Sequence, residues 1–251
     1  MINRPRLFFA VLAVLLSFSI VGAQADGVRQ DAKAIEVLKQ MAAFKSSLNE
    51  VVINGVTFTD ARLPGGLMVS NADEVSVSIQ RPGSMLITSA DGEATKGFYF
   101  HDGLFTFFNS ATRLYGQAEI PKEIEAAMEF ALEELGIEAP LLDMIYKDAS
   151  THLLTSGETI MYLTDKARVG NADCHHLAIR GDDIDVQLWV EEGDRPVTRR
   201  LMITSKWEGG SPRFVANLDW DTSPEFKSGF FEFKAPEGAE KIEFIRGASA
   251  Q

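Results

Sequence analysis

The sequence predicts a mainly β protein of the α+β class, in which a single curved antiparallel sheet forms an unclosed barrel covered by an N-terminal helix and a helical insert. Two observations support this prediction. From residue 51 onward, most apolar residues alternate with polar ones, which is the period of strands with one buried face. Two other segments have the 3.6-residue period of amphipathic helices. A sandwich needs no such helices, so one curved sheet with helices on its open side is favoured.

The first helix is predicted over Asp31 to Leu48, where apolar residues recur at helical spacing. The strands that follow are broken by turn residues, and Asp102-Gly103 is a tight hairpin turn that tolerates positive φ. Beyond an alternating stretch that begins at Val51, the predicted strands are Val75–Ile79, Met85–Thr88, Phe98–Phe100, Leu104–Phe108, Ile160–Val169, Asp173–Arg180, Asp185–Glu191, Val197–Lys206, Phe214–Asp219 and Phe230–Phe233.

The helical insert interrupts the strands in the middle of the chain. Pro121 is suited to the first helical position, and Gly136 is suited to ending the helix. A second short helix is predicted from Pro140 to Tyr146. No internal repeat or linker divides the chain, so one domain over residues 26–251 is expected.

Residues 1–25 are predicted to be a secretory signal peptide. Two arginines precede a 15-residue apolar run, and Ala23-Gln24-Ala25 supplies a small-x-small cleavage site. The run is shorter than the roughly 20 residues that span a bilayer. We expect cleavage after Ala25 and no transmembrane segment after cleavage.

Composition and charge narrow the classes of function. The chain has 251 residues, of which 45% are hydrophobic and 24% charged, as in globular proteins. Its net charge of −12 argues against nucleic acid as a partner. One cysteine cannot form an internal disulfide, so a hydrophobic core must stabilise the fold.

Cys174-His175-His176 is the one cluster of metal-ligating or nucleophilic residue types. On a strand, Cys174 and His176 share one face and His175 points to the other, so at most two of them converge. A third ligand would have to come from Asp173, His101, His152 or a distant acid. We therefore predict no metal site, no cofactor and no catalytic residues. An enzyme built on Cys174 and His176 is the weaker alternative.

Aromatic and methionine residues are the more informative signal. Four phenylalanines lie on two strands joined by one turn, where alternate residues share a face. Such residues suit a pocket for flexible alkyl chains, and they equally suit an ordinary core. The residues predicted to line a ligand cavity are Val77, Ile79, Phe98, Phe100, Phe105, Phe107, Met128, Leu132 and Met144.

Four stretches together carry a family resemblance: residues 98–103 (FYFHDG), 137–144 (IEAPLLDM), 170–180 with Cys174-His175-His176-Leu177, and 186–196 with the closing Gly193-Asp194-Arg195-Pro196. They resemble predicted periplasmic proteins of a domain-of-unknown-function family, which is similar in fold to the lipoprotein carriers of the LolA and LolB type. In those carriers an unclosed β-barrel with a helical lid encloses a hydrophobic cavity for acyl chains. The resemblance implies a LolA-like periplasmic half-barrel and supplies no catalytic residues.

The sequence and the resemblance lead to one functional hypothesis and one alternative. The first is a non-enzymatic periplasmic protein that binds an acyl chain, lipid or lipoprotein in the half-barrel cavity. The alternative is an envelope sensor or regulatory domain that binds an envelope protein, with a cavity that is small or filled.

Overall fold

A computed structural model of the protein describes residues 30–137, 141 and 159–244, and the structural statements below concern these residues. Two helices are present, α1 (Ala32–Ser47) and α2 (Ile124–Leu135). The strands are β1 (Glu50–Arg62), β2 (Met68–Gln80), β3 (Ser84–Ala90), β4 (Thr95–His101), β5 (Leu104–Asn109), β6 (Leu114–Glu119), β7 (Thr159–Val169), β8 (Ala172–Arg180), β9 (Ile184–Glu191), β10 (Thr198–Ser205), β11 (Arg213–Asp221) and β12 (Glu240–Ile242).

All twelve strands belong to one sheet, in the order β12-β6-β5-β4-β3-β2-β1-β11-β10-β9-β8-β7. Neighbouring strands are antiparallel except β12, which is parallel to β6. Within the described strands, β12 and β7 are the two ends of the sheet, so the barrel is unclosed. The sheet is curved, and both helices pack on one of its faces. The predicted fold class is confirmed.

Helix α1 forms within one residue of each predicted end, and the predicted turn of the β4–β5 hairpin is present. The side chain of Asp31 accepts a hydrogen bond from the backbone N–H of Lys33 at 3.1 Å and caps the start of α1. At the hairpin, Asp102 has φ 46° and Gly103 has φ 83°, so both residues of the turn adopt the left-handed region. Pairing of His101 with Leu104 closes the hairpin.

Helix α2 begins later than the sequence predicted. Its first residue is Ile124 rather than Pro121, and Glu123 precedes it without a side-chain capping bond. The backbone N–H of Ile124 donates to the carbonyl of Pro82 at 3.1 Å, so the turn between β2 and β3 fixes where the helix starts. Gly136 ends the helix in the left-handed conformation, as expected. The predicted helix from Pro140 to Tyr146 lies outside the described residues except for Leu141.

The predicted strand over Phe230–Phe233 is wrong. The segment forms a turn in which Gly229 has φ 75°, and the rings of Phe226, Phe230 and Phe231 pack on one another with centroids about 5 Å apart. Their aromatic character therefore serves side-chain packing and not strand pairing. The last strand is instead the short β12, which the sequence did not predict.

The hydrophobic core lies on one face of the sheet, which we call the core face. Ile53, Val77 and Ile87 are paired across β1, β2 and β3 and are buried there. Alternation along each strand places Asn54, Ser76 and Thr88 on the opposite, outer face. Both helices pack on the core face. The helix residues buried there are Ala34, Val37, Leu38 and Met41 of α1 and Ile124, Ala127 and Met128 of α2.

Candidate functional site

Most of the predicted lining residues come together on the core face. Val77 is joined to Phe98 and Phe107 through Ile87 in one row of paired residues, and Ile79 is joined to Phe100 and Phe105 through Met85 in the next. The members buried in a single cluster are Val77, Ile79, Phe98, Phe100, Phe105 and Met128. Phe107 is partly buried and packs against them. That these residues line a ligand cavity stays a prediction.

Two predicted residues do not join this cluster. The side chain of Leu132 is 47% exposed on α2. Met144 lies outside the described residues. The sequence prediction also left out Met85 and Ile87, which complete both rows of paired residues and are fully buried. Their alternation within β3 is the signal that could have identified them.

The described core face is packed closely. Between the end of α1 and strands β1 and β2, a cavity of about 20 Å³ remains, lined by Lys45, Leu48, Val51, Ile53, Ile79, Arg81 and Trp220. A cavity of this size has room for about one water molecule. This space is too small for an alkyl chain.

Helix α2 is anchored to the sheet at its first turn. The side chain of Arg81, at the end of β2, forms an ion pair with Glu125, and the adjacent Pro82 carbonyl accepts the N–H of Ile124. At the other end of the helix, Leu132 is exposed and Phe130 and Leu135 are only partly buried. Between the two ends, Met128 and Ala131 are buried, so the contacts of α2 with the sheet extend beyond its first turn.

The cysteine and histidine side chains do not form a joint site. Cys174 is completely buried, and this burial, together with the nearby Glu191 carboxylate, raises the pKa of its thiol to about 11. His175 is hydrogen-bonded to the Tyr162 hydroxyl at 2.8 Å. His176 lies on the face of β8 opposite to His175, as predicted, and its ring stacks on Trp189.

The other histidines considered as metal-ligating residues do not complete a site among the described residues. The Nδ1 atom of His101 is 2.9 Å from the Ser84 hydroxyl, and His152 lies outside the described residues. Over the part of the chain that the structure describes, no three His, Cys, Asp or Glu side chains converge on a common point. Neither described helix is long and apolar enough to cross a bilayer.

These features define a class of protein: an unclosed β half-barrel whose apolar face is covered by helices. The chain belongs to the family described as "Predicted periplasmic protein (DUF2092)", whose model matches residues 34–245. The resemblance found in the sequence is thus confirmed. No curated protein matches the chain.

Several solved structures are similar to the chain at low identity. LprF from Mycobacterium bovis is 11% identical, with a TM-score of 0.45 over 84% of this chain and 100% of that one. A LolA superfamily protein from Nitrosomonas europaea is 11% identical, with a TM-score of 0.37 over 80% of this chain and 97% of that one. The MucA/MucB complex of Pseudomonas aeruginosa is 15% identical, with a TM-score of 0.43, and the match covers 77% of this chain and 59% of that one.

Proposed function

We propose that this protein is a non-enzymatic binding protein of the periplasm that holds the hydrocarbon chain of a lipid, fatty acid or lipoprotein between the core face and the two helices. One observation carries the proposal. The apolar face of an unclosed sheet is covered by helices. In this proposal α2 opens as a lid, and its first turn, which is bonded to the turn between β2 and β3, serves as the hinge.

The free energy gained by burying an alkyl chain can offset the loss of contacts between the helices and the core face. Burial of an alkyl chain contributes about 0.8 kcal/mol per methylene, so a dozen methylenes contribute about 10 kcal/mol before any lid contacts are lost. Met41, Met85 and Met128 lie in the core cluster, and methionine side chains adapt to new packing partners. An adaptable wall suits ligands that differ in length.

The proposed location follows from the N-terminal sequence and the family. The family is described as periplasmic, and residues 1–25 have the three parts of a signal peptide. We propose cleavage after Ala25. Intact-mass measurement of the exported protein should give a chain that begins at Asp26, and a mass that retains residues 1–25 in the membrane fraction would contradict this.

Lipid extraction tests the binding function directly. Protein purified from the periplasm is extracted with organic solvent and the extract is analysed by mass spectrometry. We expect an acyl-bearing molecule in near-stoichiometric amount. The same protein, unfolded, washed and refolded before extraction, is the control and should release none.

A second candidate function is an envelope sensor or regulatory domain that binds an envelope protein. The close packing of the core face favours it, because a permanently filled core leaves no space for an alkyl chain. Absence of any acyl-bearing molecule from the extract, together with no binding of a fluorescent fatty-acid analogue, would support this second candidate over the first.

A further inference from the structure

The outer face of the sheet carries a groove of about 750 Å³, separate from the core face. Residues of five neighbouring strands, β3, β2, β1, β11 and β10, form its floor, and the tip of the β7–β8 hairpin forms a wall. The lining residues are Asn54, Gly55, Val56, Glu74, Val75, Ser76, Thr88, Ala90, Arg168, Val169, Gly170, Arg199, Arg200, Asn217, Leu218 and Asp219. Its volume lies in the range of pockets that bind small molecules.

One row of paired residues runs along the floor of this groove. Arg200 pairs with Asn217, Asn217 with Val56, Val56 with Glu74, and Glu74 with Ala90. These five residues come from five neighbouring strands and share the outer face. Arg200 and Asn217 therefore form a polar end beside the apolar side chain of Val56, and Glu74 follows on the other side of Val56.

Arg200 is a cation without a counter-ion in the described part of the chain. No described carboxylate or hydrogen-bond acceptor lies within bonding distance of its guanidinium, and its Nε atom is buried without a partner. The guanidinium lies over the ring of Trp189, with Cζ 5.3 Å from the ring centroid. Trp189 in turn stacks on His176 with centroids 4.1 Å apart. This stack holds the cation at the groove.

The other arginines of the groove are already paired. Arg199 donates to Asp219 at 2.8 Å, and Arg168 is 3.4 Å from Asp173. Glu74 is three strand spacings from Arg200, or about 14 Å along the curved sheet at roughly 4.8 Å per spacing. Because a partly buried cation without a partner is costly, the groove favours an anion beside Arg200.

We propose that this groove binds a small organic anion. Its carboxylate or phosphate accepts hydrogen bonds from the guanidinium of Arg200 and from the side-chain amide of Asn217, which has no hydrogen-bond partner among the described residues. The apolar part of the ligand lies against Val56 and Val169. This site is distinct from the proposed alkyl site, because the two lie on opposite faces of the sheet.

Titration with two aromatic anions tests the proposal. Benzoate and phenyl phosphate carry the two candidate head groups and lack an alkyl chain. Calorimetry should show saturable binding of at least one, which identifies the head group, and the NMR signal of the Arg200 Nε–H should shift during the titration. The change Arg200→Gln should weaken binding about ten- to hundredfold, as expected for loss of hydrogen bonds to a charged group.

The matched control is Arg180→Gln, which removes the same charge from an exposed position outside the groove. It should change the affinity less than about twofold, which sets the limit for a general charge effect. Failure of both anions to bind, or equal binding by the Arg200→Gln and control variants, would overturn the proposal. If the Arg200→Gln variant does not fold, an unshifted Arg200 Nε–H signal in the unaltered protein would overturn it instead. The change Met128→Trp should leave this binding intact, which separates the result from the alkyl site.

Discussion

Phe233 and Phe244 lie on opposite faces of the same end of the sheet. The ring of Phe233 packs on Tyr99, Phe108 and Tyr115, with centroids 5.1, 5.6 and 5.1 Å away, on the outer face. Phe244 lies on the core face, 6.1 Å from the ring of Phe105. Strand β12 pairs with β6 between the two residues. The C-terminal segment thus covers the end of the sheet from both sides.

Gly116 of β6 shows how closely this segment approaches the sheet. A Cβ atom at this position would lie 2.8 to 3.0 Å from three atoms of the Phe244 ring. A larger residue would displace the ring. The glycine therefore permits the contact that closes this end of the core face.

Removal of the Phe233 ring should destabilise the protein. Since the ring makes three aromatic contacts while partly exposed, Phe233→Ala should lower the free energy of unfolding by about 2 kcal/mol. Trp207→Ala is the control, because that side chain is 65% exposed and makes no ring contact among the described residues, so its loss should cost less than about 1 kcal/mol. Urea unfolding measures both. Equal losses in the two variants would show that the outer-face contact does not stabilise the sheet.

Cys174 should be unreactive in the folded protein at neutral pH. Because the pKa of its thiol is raised to about 11, only about one thiol in a thousand is ionised at pH 8, and the thiolate is the reactive form. Modification by a thiol reagent should accelerate about tenfold per pH unit up to about pH 11. The unfolded chain should react at once and serves as the control. Rapid labelling of the folded protein at pH 8 would show that the buried state opens readily.

The regular elements were predictable because their signals are local. Alternation in β2 to β5, the helical period of α1 and the Asp102-Gly103 turn each depend on a few neighbouring residues, and each was found. The shared face of Phe98, Phe100 and Phe105 followed from the same alternation. Whether these residues enclose a cavity depends on how closely the helices pack against them. That packing cannot be predicted from the pattern of a single segment.

The features that the sequence did not reveal are long-range. The start of α2 depends on the Pro82 carbonyl, some forty positions earlier in the chain. The short β12 pairs with β6 beside the contact between Phe233 and Tyr115, which are more than a hundred positions apart in the sequence. The outer-face groove needs Arg200 and Val56 to be brought together from distant strands. None of these contacts can be predicted from the hydrophobic periodicity of a single segment.

Weakening the anchor of α2 should loosen the lid. The change Glu125→Gln removes the charge that pairs with Arg81, and we expect a loss of about 1 kcal/mol, with faster hydrogen exchange confined to residues 124–135. Glu129→Gln is the control, because that side chain is exposed on the same helix and forms no described bond. Exchange that is unchanged in the Glu125→Gln variant would mean that the ion pair does not hold the helix.

Enlarging Met128 should separate a ligand space from a permanently filled core. Met128 is 3% exposed and lies in the core cluster, so Met128→Trp should cost the ligand-free protein roughly 1 to 3 kcal/mol through overpacking. Glu129→Trp adds the same ring on the exposed side of α2 and should change neither stability nor binding.

A fluorescent fatty-acid analogue then decides between the two functions. If an alkyl chain occupies the space under α2, the analogue at a hundredfold excess over its Kd should stabilise the unaltered protein by about 2.7 kcal/mol and should stabilise Met128→Trp far less. Thermal unfolding with and without the analogue measures both effects. The carrier function would be contradicted if Met128→Trp is destabilised and the unaltered protein does not bind the analogue. The core face would then be a permanently filled hydrophobic core. The protein-binding role would be the better account.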